Sequence, residues 1–352
     1  MKDIARIALQ PGMIIGQDIF NYRNELIFPA GTKIDETIIA KLARHSIMVV
    51  PIMEDIDFAT THFEKIRLSE AYRNFELEYN HCLIAYRNVM NNFVLNSVRV
   101  DTGFLMDIYR KLTALAPSSN LLLDYLYNMI PNEDELTHTH CLNSALIAGV
   151  FADWLSMSAS DKEILVLSGF FYDIGKLKLP YEILWKPGNL TNIEYATIKT
   201  HPVLGYEMAR TQGLDPHILN AIFMHHERCD GTGYPSGLRK EQIDIFARYI
   251  AIVDAYEAMT SARTYRQSLT PLEVISRFEK EGFQRYDEVL LRPILKRIAD
   301  SQIGLSVTLS DDSTWEIFVI NPAKLSKPIL KRNETEFLNL AEREDLEIVS
   351  IH

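Results

Sequence analysis

Residues 160–176 read S-D-K-E-I-L-V-L-S-G-F-F-Y-D-I-G-K, and this stretch decides the class of the fold. From Ile164 to Tyr172 it is apolar on nearly every face, which a surface helix is not, so it predicts a central helix with Ser160 and Glu163 as its capping box. The apolar run is far shorter than the ~20 residues that span a bilayer. Asp173 follows it directly, and a carboxylate delivered by an apolar helix needs a cation or several donors to offset its desolvation. The segment A-R-Y-I-A-I-V-D-A-Y-E-A-M at 247–259 repeats the arrangement with Asp254.

Six of the ten histidines, at 138, 140, 201, 217, 225 and 226, lie in the same region. Two apolar helices that each deliver an aspartate, with histidines supplied by others, describe the interior of a helical-bundle metal site. Mixed imidazole and carboxylate donors suit Fe or Mn, with Zn also compatible. His225 and His226 are neighbours, which on a continuous helix point ~100° apart. Both reach one metal only if the helix ends there, and Asp230-Gly231-Thr232-Gly233-Tyr234-Pro235 is a strong breaker. Pro202 places His201 at a helix junction, and Thr191 with Glu194 predicts another capping box.

Around this region the pattern changes twice. Residues 1–56 read as a small β-rich module: strand at Met13–Ile15, turn at Asn21–Asn24, strand at Leu26–Phe28, a helix capped by Asp35, and strand at Ile47–Ile52. Residues 57–135 read as helical, with Tyr72, Phe75, Tyr79, Leu83, Tyr86, Met90 and Phe93 at three- to four-residue intervals, a core-packing stripe of a regulatory stalk suited to a homodimer. Residues 136–300 are the helical domain just described. Residues 301–352 alternate like strands at Leu305–Leu309, Thr314–Ile320 and Leu346–Ile351, a β-rich C-terminal appendage. The expected class is therefore mainly α, with small β-rich parts at both ends.

Charge and cysteine usage exclude several functions. The chain has 352 residues with 36 Lys and Arg against 47 Asp and Glu, net −11. That balance argues against binding double-stranded nucleic acid through a broad basic face, so an anionic ligand needs a local basic pocket. Cys82, Cys141 and Cys229 fit neither a disulfide framework nor a C-x-x-C zinc site. With an acid at its third residue and no apolar h-region, the amino terminus reads as no secretory signal, which places the protein in the cytoplasm with no membrane span.

The string H-H-E-R-C-D-G-T-G-Y-P at 225–235 resembles the signature of the HD-GYP phosphodiesterases, an all-helical branch of the HD superfamily of metal-dependent phosphohydrolases. Ordered matches accompany it: Thr137 to Cys141, D-I-G-K at 173–176, K-P-G-N-L-T at 186–191, His201-Pro202, and D-A-Y-E-A-M-T-S-A-R-T-Y-R at 254–266. The resemblance covers about residues 136–300. It implies that His140, Asp173, His201, His225, His226 and Asp254 ligate two divalent transition-metal ions, Fe or Mn, with Asp173 bridging. A metal pair of this kind stabilises the attacking and leaving oxygens of an in-line displacement at phosphorus. It further implies that Lys176, Arg263 and Arg266 meet the phosphates of a cyclic dinucleotide, that Asp173 and Lys176 serve catalysis, and that Tyr234 shapes the site or a signalling-partner surface at the GYP loop. The implied reaction is hydrolysis of cyclic di-GMP or a related cyclic dinucleotide to a linear dinucleotide or mononucleotides.

Two departures stand out. Where the family has H-D, this chain has Tyr172-Asp173. By the family's pattern the lost histidine would hold the metal that also takes His140 and Asp254, while the other keeps Asp173, His201, His225 and His226. Either the Tyr172 phenolate ligates in its place or the second metal binds weakly. Working phosphodiesterase and non-hydrolysing receptor or scaffold both remain open at this level. Glu257 stands where the family usually has aspartate, and Leu136 occupies the place from which some relatives bind a third metal.

Overall fold

The computed structural model describes residues 2–21, 26–45, 47–53, 61–129, 135–184, 186, 188, 190–261 and 268–352. The turn expected over 21–24, the 56/57 boundary, and both Arg263 and Arg266 lie wholly or partly outside these residues. The chain divides into two compact units, residues 1–70 and 71–352.

In the first unit, strands β1 (Lys2–Ala5), β2 (Ile14–Ile15), β3 (Ile19–Phe20), β4 (Leu26–Phe28) and β5 (Val49–Met53) surround helix α1 (Glu36–Arg44), and α2 (His62–Leu68) follows. β5 pairs antiparallel with both β1 and β2, and β3 pairs with β4. Asp35 caps α1 by accepting from Ile38 N at 2.8 Å, as its position predicts. Ile15, Ile34, Leu42, Val50 and Ile52 form the core. Strand β1 has no counterpart in the sequence reading, because its four residues form a strand only through β5, far along the chain.

The second unit begins with α3 (Glu70–Asn96), α4 (Thr102–Thr113), α5 (Ser119–Asn128), α6 (Leu136–Trp154) and α7 (Ala159–Phe171). The aromatic stripe of α3 is buried within the unit, where Tyr72 and Phe75 meet Tyr125 and Tyr86 meets Phe170. Helix α6 is buried on every face from His138 to Ala152. The central helix α7 has its predicted core, but its cap differs from the expectation. Ser158, not Ser160, accepts from Asp161 N at 3.1 Å, and the helix starts at Ala159. Both serines have a suitable side chain; Ser158 is the one whose backbone is extended, as an N-cap requires.

There follow α8 (Tyr181–Leu184), α9 (Asn192–Ile198), α10 (His201–Ala209), α11 (Pro216–Met224), α12 (Ile245–Thr260), α13 (Pro271–Arg285) and α14 (Glu288–Asp300). The Thr191/Glu194 capping box opens α9 as expected. The chain ends in an antiparallel sheet, ordered β10-β6-β7-β8-β9, built from β6 (Ser306–Leu309), β7 (Thr314–Val319), β8 (Ile329–Lys331), β9 (Phe337–Asn339) and β10 (Ile348–Ile351). Glu279 of α13 ties it down, accepting from Leu325 N at 2.7 Å and from Ser326 Oγ. The protein is mainly α with small sheets near both ends. Among the described residues, no helix is long and apolar enough to cross a membrane.

Candidate metal centre

Helix α7 stops at Phe171, Tyr172 is its C-cap, and the chain turns through Asp173 into a 3-10 helix at Ile174–Lys178. Gly175 permits the next step: a Cβ there would lie 1.9 Å from His201 O and 2.7 Å from Gly205 N, so only glycine lets α10 close onto this turn. That approach carries His201, the first residue of α10, to Asp173. Helix α11 ends at Met224 with His225 as its C-cap, and the chain break lets both His225 and His226 face the same point.

Asp173, His201, His225 and His226 bring ligand atoms within 4.8 Å of one another. His201 Nδ1 donates to Ile198 O at 2.7 Å and His225 Nδ1 to Ile222 O at 2.9 Å. With Nδ1 carrying the proton on each ring, both Nε2 atoms present lone pairs, and they stand 3.1 Å apart. Burial pushes the His225 imidazolium down to about 3, so that ring is neutral. Asp173 is fully buried, yet neither of its oxygens has an aligned hydrogen bond, although Lys176 Nζ lies 2.6 Å from Oδ2 and His201 Nε2 lies 3.2 Å from Oδ1. Burial opposes its charge, but the Lys176 ammonium, with His140 beside it, outweighs that and holds the carboxyl well below its usual range. Converging imidazole lone pairs, a buried anionic carboxylate, and backbone carbonyls fixing the rings fit a divalent transition metal.

The other expected ligands do not join that group. His140 Nε2 lies 3.0 Å from Asp254 Oδ1 and 3.5 Å from Asp173 Oδ2. Tyr172 Oη contacts His140 Nε2, stands 3.3 Å from Asp254 Oδ1 and is 3.0 Å from Ser144 Oγ. Burial, with Asp254 and Asp173 alongside, pushes its phenol well above the ordinary range. Glu257 takes the Nδ1 proton of His140 in a hydrogen bond and also accepts from Asn143 Nδ2 at 3.0 Å and from Ser261 Oγ. Burial disfavours charge on His140, but Glu257, Asp254 and Asp173 together raise its pKa to about 10. The longer glutamate at 257 thus orients His140, a role that spacing alone did not reveal.

Glu227 is a further buried carboxylate beside the site to which the sequence reading assigned no role. It is buried and accepts from Ser236 N at 2.7 Å and Leu238 N at 2.9 Å, holding the Gly-rich loop against the histidines. Its signal was available: an acid four residues before Gly231, at the entry to a glycine-rich turn whose amides need an acceptor. Gly233 packs where a Cβ would meet Glu227 Cα and His226 O at 2.5 Å. Tyr234 consequently stacks on His226, with ring centroids 4.6 Å apart and planes at 26°. Asp287, bound by Lys240 and Arg248, anchors the far side of the loop.

An open cavity of about 330 Å³ adjoins the centre, lined by His140, Asp173, Lys176, Lys186, Ser261 and an apolar wall that includes Leu190 and Ile198. Lys186 is paired with Glu194 at 2.7 Å. Lys176 is the cation that joins the cavity to the ligand group.

Residues 124–290 match the HD domain family. The chain is 32% identical to a cyclic di-GMP phosphodiesterase of Pseudomonas aeruginosa, over 66% of this chain and 56% of that protein. It is 38% identical to a cyclic di-GMP phosphodiesterase response regulator of Xanthomonas campestris pv. campestris, over 35% of this chain and 33% of the relative. A 3'3'-cGAMP-specific phosphodiesterase of Vibrio cholerae is 37% identical over 42% of this chain and 35% of its own length. The chain thus spans between a third and somewhat over half of each of these relatives.

Proposed function

We propose that this chain, whose residues 124–290 match the HD domain family, is a metal-dependent phosphodiesterase of the HD-GYP type that opens a 3′,5′ link of cyclic di-GMP or a related cyclic dinucleotide. The product is a linear dinucleotide or, after a second cut, mononucleotides, and the setting is bacterial second-messenger signalling in the cytoplasm. The observation that carries this reading is the pair of Nε2 lone pairs and the buried Asp173 carboxylate converging beside a cavity that is also lined by Lys176.

Asp173, His201, His225 and His226 would hold one metal, and His140 and Asp254 a second, with Asp173 shared and Tyr172 at its edge. Fe or Mn is the choice that the donor set favours. When bound, such ions act as Lewis acids on a phosphoryl oxygen and lower the pKa of water. Glu257 holds the His140 ring in one orientation, and Ile198 O and Ile222 O do the same for His201 and His225. Lys176, at the cavity wall, supplies a charge-assisted contact to a phosphate oxygen. Arg263 and Arg266 are proposed as further phosphate contacts, and Tyr234 as the lid over His226.

The test is anaerobic purification, metal counting by emission spectrometry, and incubation with cyclic di-GMP and 3'3'-cGAMP in the presence of Mn or Fe, with products separated by chromatography. Lys176→Ala should weaken nucleotide affinity roughly ten- to a hundredfold, the equivalent of ~1.5–3 kcal/mol for a charged contact. Metal-loaded protein that binds the nucleotide without cutting it would replace the phosphodiesterase by a receptor. No binding of either nucleotide would overturn the substrate class.

A further inference from the structure

A chain of buried hydrogen bonds runs from α3 to the metal centre. Tyr79 Oη donates to Asn143 Oδ1 at 2.6 Å. Asn143 Nδ2 donates to Glu257 Oε1 at 3.0 Å, and Glu257 Oε2 receives His140 Nδ1. Tyr79, Asn143 and Glu257 are each no more than 2% exposed and His140 is 8% exposed, so water does not substitute along this path. The order of donors is forced. A phenol that donates to the amide oxygen of Asn143 leaves its NH₂ to face Glu257, and a carboxylate that accepts from Asn143 and Ser261 on Oε1 keeps Oε2 for the imidazole.

We propose that Tyr79 is a positioning residue for the metal centre: through Asn143 and Glu257 it fixes the ring orientation of His140. The inference rests on reading His140 as a metal ligand. Without the Tyr79 hydroxyl, the Asn143 amide oxygen is a buried acceptor without its donor. If the amide turns to seek another partner, it sets oxygen against the Glu257 carboxylate. Either way the carboxylate behind His140 loses part of its support, and partners of this kind govern metal affinity. Because Tyr79 lies in α3, which follows the first unit directly in sequence, the helix read from sequence as a stalk contributes to the centre itself.

Tyr86 provides an internal control. It lies on the same helix and is 1% exposed, like Tyr79, and its hydroxyl donates to Phe170 O at 2.5 Å, outside the chain of bonds to His140. The experiment compares wild type, Tyr79→Phe and Tyr86→Phe as full-length protein with ¹⁵N-labelled histidine. Long-range ¹H–¹⁵N correlation of the metal-free protein reports the His140 ring nitrogens, assigned by their absence in His140→Gln. Their shifts should move in Tyr79→Phe and stay in Tyr86→Phe. Mn(II) titration should show the step that depends on His140 weakened about tenfold in Tyr79→Phe alone. Unmoved His140 nitrogens in Tyr79→Phe overturn the proposal, and equal changes in both variants reduce Tyr79 to a packing role and overturn it too. These readouts do not involve turnover. Failure to hydrolyse any dinucleotide would therefore remove the proposed function and leave this inference to be decided separately.

Discussion

His201 and His225 turn their Nε2 atoms toward each other at 3.1 Å, while each gives its Nδ1 proton to a backbone carbonyl. Two acceptors at that distance repel unless a proton or a cation lies between them, and burial has made the His225 ring a poor base, down to about 3. A metal ion held at this point would relieve the repulsion and share the Asp173 carboxylate.

Replacing both His225 and His226 by alanine should therefore abolish metal retention and leave most of the helical signal in circular dichroism. Emission spectrometry on the purified double variant checks this. Unchanged metal content would remove these residues from the ligand set.

Removing the metal from the native chain should lower its thermal midpoint. An ion present at a hundred times its dissociation constant stabilises the folded state by ~2.7 kcal/mol, roughly 5–10 °C for a unit of this size. Differential scanning calorimetry with and without a chelator reads the shift, and identical midpoints would contradict the assignment.

Tyr172 Oη lies at hydrogen-bonding distance of His140 Nε2, the nitrogen that would ligate the proposed second metal. Tyr172→His should therefore raise metal stoichiometry toward two and increase turnover, measured on the same anaerobic preparation. A visible charge-transfer band in ferric wild-type protein that vanishes in Tyr172→Phe would instead identify the phenolate as a ligand.

Gly175→Ala inserts a methyl group 1.9 Å from His201 O. Helix α10 must retreat to admit it, which costs at least ~1–3 kcal/mol by analogy with overpacked cores and draws His201 away from Asp173. Urea unfolding should show the loss of stability and metal titration a loss of affinity; normal values for both would mean that the close approach does not position the ligand.

Glu227→Ala should free the loop that Glu227 holds through the Ser236 and Leu238 amides. Each orphaned amide costs ~1–3 kcal/mol, so exchange at these two positions should accelerate roughly five- to a hundredfold. Hydrogen exchange that stays as slow as in wild type would place the loop's anchor elsewhere, for instance at Asp287 with Lys240 and Arg248.

Much of this was legible in the linear text because the relevant physics is local. The apolar run before Asp173 predicts a buried helix, Asp35 and Thr191 cap where they should, and the break after Met224 follows from the glycines and proline of 230–235. The same locality explains the failures. Two serines two residues apart fit one cap equally well, and β8 and β9, with three residues each, are too short to show alternation. Strand β1 exists only because β5 pairs with it across more than forty residues.

The candidate ligands and their division into two groups came from the family resemblance, but the residues that stand behind them did not. His140 meets Glu257 across 117 positions, Tyr172 meets Asp254 across 82, and Tyr79 meets Asn143 across 64. No periodicity or spacing encodes such pairs. Sequence determined which donors and apolar faces the chain possesses, because propensity, capping and chain breaks act over a few residues. Tertiary packing alone decided which carboxylate stands behind which imidazole, because that depends on how buried helices from distant parts of the chain seat against one another.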